Sequence, residues 1–241
     1  MIEKKIHYCW LGGTPKPQCV IDCINSWKKY FPDYEIIEWN ESNLDLNFSP
    51  YAKEAYQLKK WAFVTDVARL KIVYDNGGIY FDTDVEVLKP FGDILNQEYY
   101  LGLEDKARIN TGVGFGAVKG NQTIKTMLDA YEGVHFIKED GTTNFIVCPE
   151  YNTQALIKSG LIFSDGITKF RGGSIYPEEY FSPIGLLDGK KRLTNNTFSI
   201  HHFQNTWMTP RQRFKKKFMR RYGNKYMYPI WKVIKKLLGK S

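Results

Sequence analysis

Apolar and polar positions change their spacing several times along the first 130 residues, and each change predicts a new element. Residues 4–9 and 34–39 are short runs rich in β-branched and aromatic residues, which are typical of strands. Residues 19–31 carry apolar side chains at helical spacing, and a Ser-Pro pair predicts the start of a second helix over 50–60. Strands that alternate with helices indicate an α/β domain with a mainly parallel sheet.

The segment 61–76 is apolar on almost every side, so it predicts a helix that is buried on most of its faces. Gly77 and Gly78 follow it and end the helix. Residues 79–81 then form a short hydrophobic run that predicts a buried strand, and extended structure resumes at 85–88. Residues 135–200 are less periodic, and their pattern does not order the short strands and loops it contains.

Basic residues are concentrated toward the C-terminal end of the 241-residue sequence. The net charge is +8, but residues 189–241 hold fifteen Lys and Arg and no acid. The other nineteen basic residues stand against all twenty-six acidic ones, so residues 1–188 carry a net charge of −7. An acidic body repels phosphate backbones, so we expect no nucleic acid partner.

The basic segment predicts a helical tail over residues 209–241. Phe214, Phe218 and Tyr222 lie four apart among seven cations, which is the pattern of a basic amphipathic helix. Aromatic and cationic residues without acids favour binding to an anionic membrane surface through residues 211–240. The alternative is a helix that packs on the body with its lysines in water.

Cysteine usage and the N-terminal sequence bear on the compartment. The four cysteines form no CxxC pair, and Cys19 and Cys23, one helical turn apart, suit packing better than zinc binding. A reduced, cytoplasmic setting fits this usage. Charged residues interrupt the apolar core that a signal peptide would need at the N-terminus, and the sequence has no apolar run long enough to span a bilayer.

Asp82 and Asp84 follow the hydrophobic strand and are the candidate catalytic residues. In an extended segment, residues two apart project to the same side, so both carboxylates can face one bound species. Two such anions repel each other unless a cation lies between them. Oxygen ligands suit Mg²⁺ or Mn²⁺, so we expect one of these ions as the cofactor.

Asp66 and Arg69 are three residues apart on the buried helix and therefore share a face. One interpretation is a local ion pair that neutralises itself. The other is that this face points into a ligand cleft at the carboxyl edge of the sheet, where open α/β sheets bind ligands. The sequence leaves both open.

The residues around these positions resemble glycosyltransferase family 32. The block 60–84, with its Asp-x-Asp, is similar to the sugar-binding region of that family, the opening 6–13 is similar to its first strand, and 201–207 is similar to its terminal His-His-aromatic element. The family includes capsular-polysaccharide transferases and is related to the clostridial glucosylating toxins. The resemblance spans residues 4–207 and implies a GT-A-type nucleotide-sugar-binding fold over 1–208.

The resemblance also implies roles for individual residues in binding the donor. Trp10 would stack on the nucleotide base, and Tyr80 would support the nucleotide. Asp66 and Arg69 would hold the sugar, and Asp82 would contact the ribose.

The same resemblance implies a metal shell. Asp84 would bind the metal directly, and Asp82 would reach its water shell. A histidine from the late element would complete the shell, since a neutral imidazole is a competent ligand. Either His201 or His202 can serve, and His202 is favoured because it directly precedes an aromatic residue.

Residues 110–116 are rich in glycine, which permits close approach of the backbone to a ligand. Their spacing is wrong for a dinucleotide fingerprint, and the run has the pattern of a strand. Asn110 and Thr111 are candidate donor-site residues, and a plain glycine-rich strand is the alternative.

The resemblance predicts a metal-dependent glycosyltransferase that retains configuration and moves a hexose from a nucleotide sugar to an acceptor. UDP-hexose is the favoured donor and GDP-mannose the second. The acceptor would be a glycan, in particular a lipid-linked one of bacterial surface polysaccharide synthesis, at the inner face of the cell membrane.

Two other classes of protein share part of this sequence pattern. A haloacid-dehalogenase-type phosphatase also begins with a strand and Asp-x-Asp, but it needs a late acidic pair, and the acids here end at Asp188. A nucleic-acid-binding protein would use the tail alone and would leave the aspartate pair unexplained.

Overall fold

The computed structural model describes residues 1–186 and 188–204, which form an α/β domain. The predicted tail over 209–241 and the last residues of the 201–207 element lie outside these ranges. Within them, no helix is both long enough and apolar enough to cross a membrane.

The described residues form ten strands and six α-helices. The strands are β1 Lys5–Cys9, β2 Glu35–Trp39, β3 Gly78–Tyr80, β4 Val85–Val87, β5 Tyr99–Asp105, β6 Arg108–Ile109, β7 Phe115–Ala117, β8 Thr168–Phe170, β9 Gly173–Tyr176 and β10 Ser199–His201. The helices are α1 Gln18–Tyr30, α2 Pro50–Gln57, α3 Trp61–Asn76, α4 Gln122–Asp129, α5 Cys148–Lys158 and α6 Glu178–Phe181.

Eight of the strands form one mixed sheet in the order β2-β1-β3-β7-β5-β9-β8, with β6 paired to β5. β1 is parallel to β2 and β3, and β5 is parallel to β9, whereas β7 is antiparallel to both β3 and β5. In the described chain, β1, β2, β3, β5 and β9 therefore point the same way, and this confirms the prediction of an α/β fold with a mainly parallel sheet. β4 and β10 form a separate antiparallel pair.

The sheet separates two hydrophobic cores because successive residues of a strand face opposite sides. In β5, Tyr99, Leu101 and Leu103 face the core beneath α2, α3, α4 and α5, whereas Tyr100 faces the core beneath α1 and α6. Both cores are rich in aromatic rings. Open α/β sheets bind ligands at the carboxyl ends of their strands, so we expect a ligand site at that edge of the sheet.

Helix α3 forms as its sequence predicts. Nine of its sixteen residues are buried, including Asp66 and Arg69, so the apolar pattern on almost every side corresponds to burial on most faces. Gly77 ends the helix at φ +66°, a left-handed conformation that glycine adopts without strain. A side chain at Gly77 would also overlap the carboxylate of Glu3.

Two predicted elements differ in detail from the observed ones. Helix α2 is capped by Ser49, whose hydroxyl accepts from the Ala52 N–H at 3.3 Å, but it ends at Gln57 because Lys59 has a positive φ of 54°. The glycine-rich run 110–116 is a short 3₁₀ turn, Thr111–Val113, and it becomes a strand only at Phe115.

Candidate functional site

A cavity of about 630 Å³ opens at the carboxyl edge of the main sheet. Its walls are the ends of β1, β3 and β5, one face of α3, the start of α5 and residues 201, 203 and 204. Cavities of about 300–1,000 Å³ are typical of small-molecule sites. Every parallel strand near it ends there, as expected for open α/β sheets.

Asp82 and Asp84 both line this cavity, although the segment that carries them is not extended. The Val85 N–H donates to the Asp82 carbonyl at 3.0 Å, so residues 82–85 form a turn between β3 and β4. The expectation of an extended segment is therefore wrong, because the chain leaves the main sheet here to begin the β4–β10 pair. The turn still brings both carboxylates to one side.

His201 reaches this turn through strand pairing. β10 runs antiparallel to β4 with His201 opposite Val85, which places the ring beside the aspartate turn. His201 Nε2 lies 3.1 Å from Asp84 Oδ1, and the Gln204 backbone N–H donates to Asp84 Oδ2 at 2.8 Å. Burial by itself would raise the pKa of Asp84, but the His201 ring and the Gln204 N–H outweigh it and hold the pKa at about 2.

The preference for His202 does not agree with the structure. The His202 ring points to the other side of β10, where its Nε2 lies 3.0 Å from Glu86 Oε2. Consecutive strand residues face opposite ways, so only one of the two histidines can face the aspartates. That histidine is His201.

The donor set of Asp82, Asp84 and His201 suits a divalent cation. One ligand atom from each residue lies within 4.8 Å of the other two, which is a spacing that one ion can bridge. The Nδ1 atom of His201 is buried without a hydrogen-bond partner among the described residues. Burial by itself would lower the pKa of His201, but the nearby Asp84 raises it above its usual value, so the site attracts cations.

Arg69 lies between two carboxylates on the cavity floor. Its Nη2 is 2.9 Å from Asp66 Oδ1 and 3.3 Å from Asp82 Oδ1, and the side chain is only 3% exposed. Its guanidinium also lies 5.3 Å from the centre of the Tyr80 ring. The two residues pair with each other and both line the cavity, so their position agrees with either interpretation.

Asp66 also joins α3 to the start of α5. Its carboxylate lies beside Cys148, the first residue of α5, and this residue helps to lower the pKa of Asp66. Burial raises the pKa of Asp66 to about 6, and the Arg69 guanidinium opposes that rise. Asp66 thus has a structural function in addition to its place in the cavity wall.

Trp10 and Tyr80 occupy different depths. Trp10 lies half-buried at the end of β1, where its Nε1 donates to the Thr14 carbonyl at 2.7 Å and fixes the ring at the cavity wall. Tyr80 is 1% exposed and packs in the core, and its side chain hydrogen-bonds the Asp82 carboxylate. Both residues line the cavity, and Trp10 is the more exposed of the two.

Of the two candidates in the glycine-rich run, only Asn110 lines the cavity. Its Oδ1 accepts from the Gly112 N–H at 2.6 Å, and its Nδ2 donates to Glu104 Oε2 at 2.7 Å. Thr111 is fully buried, and its hydroxyl accepts from Asn152 Nδ2 at 3.3 Å. The structure therefore does not bring Thr111 to the cavity.

Sequence reasoning missed Glu104 and Arg108, which also line the cavity. Glu104 is 8% exposed near the end of β5, and burial raises its pKa, with the hydrogen bond from Asn110 opposing. Arg108 Nη2 lies 3.2 Å from Glu104 Oε1. A charge inside the otherwise apolar run of β5 was the available signal.

Comparison with known protein families finds a match in the first half of the chain. Residues 17–101 match the family described as "Glycosyltransferase sugar-binding region containing DXD motif". This range contains α1, α3 and the aspartate turn of the cavity. The resemblance carried by the block 60–84 is thereby confirmed.

A sequence relative and two solved structures are also similar to this chain. The relative, subversion of eukaryotic traffic protein A of Legionella pneumophila subsp. pneumophila, is 24% identical over 169 residues. The match covers 57% of this chain and 26% of that protein, so it spans about a quarter of the relative.

The PaToxG glycosyltransferase has a TM-score of 0.52 and 21% identity, and the match covers 66% of this chain and 70% of that one. The galactosyltransferase LgtC, solved with donor and acceptor sugar analogues, has a TM-score of 0.43 and 12% identity over 88% of this chain and 94% of that one. The fold is of the GT-A type.

Proposed function

Since the chain is a glycosyltransferase that carries a DXD-containing sugar-binding region, we propose that it is metal-dependent and moves a hexose from a nucleotide sugar to a glycan acceptor. UDP-hexose is the favoured donor and GDP-mannose the second. The observation that carries this proposal is the convergence of Asp82, Asp84 and His201 within 4.8 Å at a cavity that Arg69 also lines. A divalent cation held there would attract the diphosphate of the donor.

The metal would be held by Asp84 and His201, with Asp82 reaching the ion or its water shell. Mn²⁺ or Mg²⁺ bound there would offset the charge that develops on a diphosphate leaving group. Residues of the chain would position the metal, and with it the donor. The Gln204 N–H and the His201 ring fix both oxygens of Asp84, so this carboxylate is held in position before a ligand arrives.

Different parts of the cavity wall would bind different parts of the donor. Trp10, at the end of β1, would stack on the base, and Asp82, in the centre, would reach the ribose. Asp66 and Arg69, on α3, would hold the hexose. β1 and β3 are neighbours in the sheet, so Trp10 and Asp82 follow adjacent strands.

The stereochemical outcome we propose is retention at the sugar carbon. The family resemblance supports this, and ¹H NMR of the first-formed product tests it, because an α-linked donor would give an α-linked product. A β-linked first product would overturn it.

For the acceptor, we favour a lipid-linked glycan of bacterial surface polysaccharide synthesis. The support is the basic segment 211–240, whose twelve Lys and Arg and no acids suit an anionic membrane surface. The chain would then act in the cytoplasm on the inner face of the cell membrane.

A eukaryotic acceptor is the second candidate. The sequence relative from Legionella is named for the subversion of eukaryotic traffic, and it matches 57% of this chain. That name belongs to the relative, and the low share of its length that is matched leaves room for other activities there.

The proposal is tested by nucleotide-sugar hydrolysis with the full chain. UDP-glucose, UDP-galactose, UDP-N-acetylglucosamine and GDP-mannose are each incubated with Mn²⁺, with Mg²⁺ and with EDTA. At least one donor is expected to be hydrolysed with either metal, and EDTA is expected to stop the reaction reversibly. Hydrolysis that continues in EDTA, or no hydrolysis and no binding of any donor, would overturn the proposal.

A further inference from the structure

Glu104 and Arg108 form a charged pair on the side of the cavity away from Trp10. β5 is parallel to β3, so Glu104, near its end, lies at the same sheet edge as the aspartate turn. One strand, β7, separates β5 from β3, which places their backbones about 10 Å apart. Both side chains line the same cavity as Asp82 and approach it from the β5 side.

The Glu104 carboxylate is held in position and still has room to accept more hydrogen bonds. Oε2 accepts from Asn110 at 2.7 Å, and Oε1 lies 3.2 Å from Arg108 Nη2. Each carboxylate oxygen can accept two hydrogen bonds, so each retains one site. The side chain is 8% exposed and the exposed part faces the cavity.

Arg108 supplies the complementary donor. Its Nε is buried and has no hydrogen-bond partner among the described residues, while its side chain is 39% exposed and lines the cavity. Because the buried Nε is out of reach of a ligand, the donors are the other N–H groups of the guanidinium, of which only the one on Nη2 toward Glu104 is shown to be paired in the described part of the chain. The pair can thus accept a hydrogen bond through Glu104 and donate one through Arg108, which is what adjacent sugar hydroxyls require.

We propose that Glu104 and Arg108 form a hydroxyl-binding pair for the hexose of the donor and help to determine which hexose the enzyme accepts. This inference rests on the proposed function. With the base at Trp10 and the diphosphate at the aspartate turn, as proposed, the sugar is the part of the donor left for the β5 side of the cavity. A site built to hydrogen-bond a hydroxyl discriminates strongly between sugars that do and do not present it.

The rival explanation is purely structural. Glu104 holds Asn110, and Asn110 holds the Gly112 backbone beside Asp82 and Arg69. If that were the only function, loss of Glu104 would disturb the aspartate turn and would weaken the nucleotide diphosphate and the nucleotide sugar alike. The two explanations therefore predict different ratios between the affinity for the nucleotide sugar and the affinity for the bare nucleotide.

The experiment compares the affinities of nucleotides with and without a sugar, by calorimetry with Mn²⁺. UDP is paired with UDP-glucose, UDP-galactose and UDP-N-acetylglucosamine, and GDP with GDP-mannose, on the wild type, Glu104→Gln and Arg108→Gln. Asp105→Asn is the matched control, because it neutralises the neighbouring carboxylate, which does not line the cavity. Melting temperatures are recorded for all four proteins.

We expect Glu104→Gln to bind the bare nucleotide as the wild type does and to bind the preferred nucleotide sugar about tenfold more weakly or worse. Its ranking of hexoses in hydrolysis should also change. Arg108→Gln alters the partly exposed partner of Glu104. It should also weaken the nucleotide sugar and leave the bare nucleotide unchanged, even if Glu104→Gln folds poorly. Asp105→Asn should match the wild type.

Two results would overturn the inference while leaving the proposed function intact: equal losses for nucleotide and nucleotide sugar in both variants, or no loss for either. If the wild type binds neither UDP nor GDP with Mn²⁺, the proposed function fails and this inference fails with it.

Discussion

Gly112 is the residue at which a single methyl group should do most damage to the cavity. A Cβ built there would lie 2.7 Å from Arg69 Nη1 and 3.0 Å from Asn110 Oδ1, and nearer still to Asp82 Oδ2. Ordinary contact begins at 3.4 Å, so Arg69 would have to retreat by 0.7 Å and Asp82 by more. Neither can retreat freely, because Arg69 is buried and paired with both Asp66 and Asp82.

For Gly112→Ala we expect a loss of stability of about 1–3 kcal/mol, the usual cost of overpacking. Each kcal/mol corresponds to a fall in melting temperature of about 2–4 °C in a chain of this size. Because a displacement of about 1 Å in an active site can cost about 100-fold in rate, metal-dependent donor hydrolysis should fall by about that factor. The assay is kcat/KM for hydrolysis of the preferred nucleotide sugar, beside thermal melting.

Gly185→Ala is the matched control. A Cβ there would also come too close to charged side chains, but Arg192 and Asp188 are partly exposed and can move into solvent. It should keep its activity. Full activity in Gly112→Ala, or an equal loss in both variants, would refute the view that Gly112 leaves room for the Asp82–Arg69 pair.

Three further predictions concern the site and the tail. Asp66→Asn keeps the shape of the side chain but not its charge, so kcat/KM for donor hydrolysis should fall at least about tenfold while the melting temperature changes by a few degrees; activity that only follows stability would leave Asp66 as a structural ion pair. His201→Gln should weaken Mn²⁺ binding in a calorimetric titration, whereas His202→Gln, which alters a ring beside Glu86, should not; the reverse pattern would restore His202 as the ligand. Truncation after Pro210 should leave donor hydrolysis intact and abolish sedimentation with anionic vesicles, because the removed residues carry twelve Lys and Arg worth about 1 kcal/mol each near such a surface; equal sedimentation of both proteins would exclude a membrane function for the tail.

Local patterns predicted the elements around the site well. The apolar residues of α3 and the glycines that end it are close in sequence, so their periodicity alone gave the helix. Asp82 and Asp84 follow a buried strand as predicted, although they converge through a turn and not through an extended segment.

The parts that sequence reasoning missed depend on pairing between distant strands. The choice between His201 and His202 is set by the register of β10 on β4, more than 100 residues earlier in the chain. Glu104 lies on β5, whose neighbours in the sheet are β7 and β9, and their order could not be read from local periodicity. Arg108 is placed by the short antiparallel pairing of β6 with β5.

Binding of the nucleotide by a divalent metal at the aspartate turn is the basis of the proposed function. It is tested most directly by calorimetric binding of UDP and, in parallel, GDP to the wild type and to Asp84→Asn, each with Mn²⁺ and with EDTA. The account predicts that the wild type binds one of these nucleotides with Mn²⁺, loses that binding in EDTA, and regains it when Mn²⁺ is restored, and that Asp84→Asn binds weakly in both conditions while melting cooperatively. Equal affinity in Mn²⁺ and EDTA, or an Asp84→Asn variant that binds with Mn²⁺ as tightly as the wild type, would contradict it.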